Sequence, residues 1–73
     1  MKAGEKMAKI PIAAARVAKG LTQKDLADKL GVSSQLVWEW ENTNKPIKPV
    51  YLYAICHVTG FSPDDILLPG ELN

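Results

Sequence analysis

A chain of 73 residues has room for one domain. Folding at this size removes only roughly 60% of the unfolded surface from water, so short elements must pack closely or the chain must self-associate. A hydrophobic content of 47% excludes a disordered tail, and no apolar run reaches the roughly 18 residues of a membrane span. The single cysteine, Cys56, excludes an intrachain disulfide or a cysteine-rich metal site and suits a reducing cytoplasm. The formal net charge is only +1, yet every Lys and Arg lies at or before Lys48, while the segment from Pro49 onward carries only Asp64, Asp65 and Glu71. Either one end of the molecule is suited to phosphate and the other faces away from it, or the split is chance in a short chain.

The opening MKAGEKMAKIPIAAA sets lysines before a few apolar residues, as a signal peptide does. The run is short, contains Pro11 and passes straight into Arg16 and Lys19, so the signal reading is rejected. Residues 1–9 are expected to form a flexible arm, whose Lys2, Lys6 and Lys9 either end in a solvated terminus or reach phosphate or a minor groove. A first helix is expected to open near Pro11 and close before Gly20, with Ile12, Ala15 and Ala8 or Ala18 facing inward. A second begins at Thr22, an N-cap with Asp25 as its capping-box partner, repeats Leu26, Ala27 and Leu30 at helical spacing, and ends at Gly31.

Ser33 is a further N-cap and opens SQLVWEWEN, where Val37 and Trp40 join Val32 in one core. Pro46 and Pro49 forbid a helix through the loop NTNKPIKP. Pro49 then starts a fourth helix with a buried stripe of Leu52, Ile55 and Val58 or Thr59, stopping at Gly60. Ser62-Pro63-Asp64-Asp65 reads as another helix start, anchored by Ile66 and Leu67. The expected product is an all-α, compact domain of four or five helices over residues 10–68, with 69–73 as a tail.

The stretch GLTQKDLADKLGVSSQLVWEWEN carries the functional information. It describes two short helices joined at Gly31, where a left-handed glycine lets the second cross the first at a large angle. The outward face of that second helix is then free to enter a major groove, although two short helices can also be architecture alone. The residues resemble the helix-turn-helix family of phage repressor and Cro proteins, from about Ile12 to Leu67. The matching pieces are Arg16, Gly20-Leu21-Thr22-Gln23, Leu26-Ala27, Gly31-Val32-Ser33, Val37, Trp40-Glu41-Asn42, Gly60-Phe61-Ser62 and Asp65-Ile66-Leu67.

The resemblance implies a lambda-repressor-like DNA-binding fold whose third helix reads base edges through Ser34, Gln35 and Glu39. Gln35 is the best candidate, because a glutamine amide can both donate to and accept from adenine. Gln23, Asn42 and Lys45 are implied as phosphate contacts. The chain also departs from the pattern. Glu39 stands where relatives often carry Arg, Lys or Gln, and it either accepts from cytosine N4 or pairs with Lys45 or Lys48. Thr43 stands where a glycine often ends the helix, and the following loop looks about one residue longer. Trp38 is expected largely outside, as an additional DNA or protein contact or partly covered by the Pro46–Pro49 loop.

Cys56-His57 makes a poor nucleophile–base pair, because helix neighbours do not face each other. Helix capping accounts for Asp64-Asp65 without a metal. The expectation is therefore a cytoplasmic, non-enzymatic regulator of bacterial or phage type. It would bind double-stranded DNA as a homodimer, through the helix 3–4 loop or the run Leu67, Leu68, Leu72, with no cofactor, metal, membrane or small-molecule ligand. The rival expectation keeps the scaffold but makes it a protein-interaction module, in which Leu36, Trp38 and Glu39 bind a protein, as in an antitoxin or an anti-repressor partner.

Overall fold

Each helix begins where the sequence supplies a residue that can stand in for missing backbone bonds. In the computed structural model, which describes residues 9–69, four helices follow one another: α1 (Ile12–Ala18), α2 (Gln23–Leu30), α3 (Ser34–Asn42) and α4 (Pro49–Thr59). Thr22 closes a full capping box at the start of α2: its hydroxyl accepts from Asp25 N–H, and the Asp25 carboxylate accepts from Thr22 N–H, both at 3.0 Å. These bonds hold the Asp25 carboxyl below its ordinary pKa, the backbone bond first and the hydroxyl second. Ser33 accepts from Leu36 N–H at 3.1 Å to start α3, and Pro49 occupies the first turn of α4. Gly31 ends α2 at φ 72°, ψ 30°, the left-handed conformation that turns the chain sharply into α3.

The final element is not the helix that Ser62-Pro63-Asp64-Asp65 suggests. The Asp65 carboxylate does accept from Ser62 N–H and from the Ser62 hydroxyl, both at 3.1 Å, but this cap starts only a single 3-10 turn, Pro63–Asp65. The chain then extends into β2 (Ile66–Leu67), which pairs in parallel with β1 (Ile10–Pro11), Ile10 opposite Ile66 and Pro11 opposite Leu67. Pro69 explains the correction. It pushes Leu68 out of the helical region, so too few residues remain after Pro63 for a stable helix. The extended path instead drops Ile66 completely into the core.

That core is drawn from every helix: Ile12 and Ala15 from α1, Leu26 and Ala27 from α2, Val37 and Trp40 from α3, Ile55 and Cys56 from α4, closed by Ile66. Ala18 is exposed rather than inward, being the last residue of α1, and the alternative Ala8 lies outside the described residues, as do Lys2, Lys6 and Leu72. Of the two candidates at the end of α4, Thr59 is the buried one, its hydroxyl donating to Ile55 O at 2.8 Å, while Val58 is half-buried. Trp40 packs on Tyr51 with ring centroids 5.4 Å apart, which locks α3 to α4. No helix among the described residues is long and apolar enough to cross a membrane.

Candidate nucleic-acid interface

α3 has two faces with different fates. Val37 and Trp40 are buried, and Leu36 is half-buried against the core. Ser34, Gln35, Trp38 and Asn42 are exposed, with Glu39 half-exposed among them. Spacings of three and four residues put these side chains on one outward stripe. All three residues expected to read bases therefore share a single surface with Trp38.

The inward side of α3 is fixed by a polar cluster as well as by apolar packing. Arg16 of α1 grips Glu41 with two prongs, Nε to Oε2 at 2.8 Å and Nη2 to Oε1 at 3.1 Å. A third guanidinium N–H donates to Leu21 O at 2.7 Å, and Gln23 Nε2 donates to Glu41 Oε1 at 2.9 Å. Three helices, α1, α2 and α3, thus meet at one carboxylate, and the α1–α2 turn is tied to the guanidinium that holds it. Gln23, expected as a phosphate contact, has its side-chain amide tied to this cluster. Arg16 and Glu41 matched the family pattern in sequence, but their partnership is long-range, and no local periodicity marks it.

The outward residues carry their own network. Glu39 Oε1 lies 3.3 Å from Lys45 Nζ, and Glu39 Oε2 accepts from Gln35 Nε2 at 3.3 Å. Of the two roles open for Glu39, the pairing with Lys45 is present. The Gln35 bond, then Lys45, hold the Glu39 carboxyl below its ordinary pKa, so it is ionised at neutral pH. Asn42 donates to Trp38 O at 3.0 Å, close to the end of the helix. Thr43 closes that end without a left-handed glycine: at φ −133° its hydroxyl donates to Glu39 O at 2.6 Å and accepts from Lys45 N–H at 3.1 Å.

Trp38 is 44% exposed. The groove beside the α3–α4 loop, about 210 Å³, is lined by Leu36, Trp40, Lys45, Pro46, Lys48 and Tyr51 and not by Trp38. Trp38 instead stands on the outward stripe. The Cys56-His57 pair also separates as helix geometry requires, Cys56 buried and His57 exposed. Burial, helped by Asp65, pushes the Cys56 thiol pKa up, the opposite of what a thiolate nucleophile needs.

Two short helices crossing at a left-handed glycine, the second locked inward by Val37, Trp40 and Glu41 and bare on its outer face, define a helix-turn-helix domain. The helix-turn-helix family model matches residues 12–66, and the chain belongs to that family, the Cro/C1-type domains of DNA-binding regulators. Comparison with curated proteins and with solved structures gives no match.

Proposed function

We propose that the protein is a cytoplasmic transcriptional repressor that inserts α3 into the major groove of an operator and blocks transcription by occupying it. The observation that carries this reading is the outward stripe Ser34, Gln35, Trp38, Glu39 and Asn42, on a helix whose opposite face is fully engaged. A major groove is just wide enough for such a helix. In this reading Ser34 and Gln35 meet base edges, with Glu39 beside them. Lys45 and Asn42 lie at the helix end near the backbone. The N–H groups of Gln23 and Lys24, at the start of α2, receive a phosphate. One module offers few contacts, so binding is as a two-fold dimer on half-sites about one helical turn apart.

One observation favours a second reading, a protein-interaction module of the antitoxin or anti-repressor kind. α3 contains Glu39 and Glu41 but no Lys or Arg, and it exposes a tryptophan. The two readings separate in fluorescence anisotropy on mixed-sequence DNA across a salt series. A DNA reader binds and weakens steeply as salt rises, because phosphate contacts release counterions. A Gln35→Ala variant then loses sequence preference more than non-specific affinity. Absence of binding even at low salt would sink the DNA reading and direct attention to Trp38. Gln35 is the better variant for this purpose than Gln23, since Gln23→Ala also disturbs the buried cluster at Glu41.

A further inference from the structure

We infer that Glu39 is a positioning residue: it orients Gln35 for adenine, and Lys45 is its counter-ion. This rests on the DNA-reading function proposed above.

The two Glu39 oxygens are divided between two partners, Oε1 facing Lys45 Nζ at 3.3 Å and Oε2 accepting from Gln35 Nε2 at 3.3 Å. A carboxylate can only accept, so the Gln35 amide must turn its N–H₂ end toward it. That choice settles which way round the amide lies. A glutamine free to flip offers a donor or an acceptor at the same point and tolerates several base edges. A glutamine held in one orientation offers them in one order.

The stoichiometry also fits. Pairing with adenine uses the amide carbonyl, which accepts from N6, and one N–H, which donates to N7. A primary amide has two N–H bonds, and the second is left over. Glu39 takes one, leaving the carbonyl and the other for the base. The residues lie four positions apart on one helix, the spacing at which side chains meet. Lys45 completes the arrangement by neutralising a carboxylate that would otherwise repel nearby phosphates. This explains how an acid can sit on the reading face of α3, and it makes cytosine recognition by Glu39 unnecessary.

The test selects binding sites from a randomised duplex library with the full chain, then rebuilds the winning duplex with 7-deazaadenine at each adenine in turn, which removes N7. Wild type should lose about ten-fold at one adenine. Gln35→Ala should be insensitive there, and so should Glu39→Ala. Glu39→Gln keeps an acceptor beside Gln35 and should retain most of the sensitivity. A thermal melt equal to wild type checks that the exposed variants are folded.

The inference is overturned if Glu39→Ala stays as sensitive as wild type, or if no adenine in the selected site is sensitive. It is equally overturned if Glu39→Ala loses discrimination at a cytosine instead, because Glu39 then reads a base itself. No enrichment by the wild type would overturn the DNA-reading function along with it, so the two failures are distinguishable.

Discussion

Arg16 and Glu41, 25 positions apart in sequence, form a two-pronged ion pair with side chains only 14% and 4% exposed. The pair sets the angle at which α3 leaves the body of the domain, because Leu21 O and Gln23 complete the hydrogen bonding around it. Removing one partner strands a poorly hydrated charge, at a cost of about 3 kcal/mol or more. A domain of 73 residues has a total stability of roughly 4–11 kcal/mol. Glu41→Leu and Arg16→Met should therefore each lower the urea midpoint severely, whereas the double variant should recover much of the loss. A double variant no better than the sum of the singles would mean that the two groups do not act as a pair.

What the sequence made legible was local, and what it hid was distant. Thr22, Ser33, Pro49 and Gly31 announce their helix ends through chemistry that acts within three or four residues, and the structure uses each as expected. Periodicity likewise separated Val37 and Trp40 from the outward stripe. Ser62 to Asp65 shows the limit. Its capping signal is real, but the decisive influences are Pro69 and a strand partner at Ile10, at the other end of the domain. The interface follows the same rule. Which residues face out was readable, but the bonds of Gln23 to Glu41 and of Arg16 to Glu41 join separate elements, and only the fold brings them together.

Gly31 offers a clean separation of backbone from packing effects. A Cβ added there meets nothing within 4 Å, yet φ is +72°. Gly31→Ala should cost about 1 kcal/mol through the left-handed backbone alone, lowering Tm by roughly 4–8 °C in a domain of this size. Gly31→Asn should cost less, since Asn tolerates this conformation. Alanine costing no more than asparagine in parallel thermal melts would contradict the backbone explanation.

The capping box at Thr22 and Asp25 makes stability depend on acid. The Asp25 carboxyl titrates below its reference value of 3.8 in the folded chain, so the unfolded chain takes up its proton first. Its contribution is complete above that reference value and fades as pH falls through the lower folded value. Tm curves of wild type and Asp25→Asn should lie apart at neutral pH and converge below about pH 4. Curves that stay equally separated at pH 2 would assign the difference to something other than this carboxylate.

The two tryptophans should behave oppositely, which makes α3 its own reporter. Trp40, 3% exposed and packed at a tilt against Tyr51, belongs to the core, and its replacement by alanine should cost about 3–5 kcal/mol. Trp38, 44% exposed, should tolerate alanine with a change of under about 1 kcal/mol. In a Trp40→Phe variant, the milder change that keeps the core filled, Trp38 is the sole source of tryptophan fluorescence. Its emission should be red-shifted and readily quenched by acrylamide in the free protein. If α3 enters a groove, adding a selected duplex should protect Trp38 from the quencher, whereas a duplex bound through another face should leave quenching unchanged. Protection that appears with a protein partner but never with DNA would transfer the function of this helix from reading bases to recognising another chain.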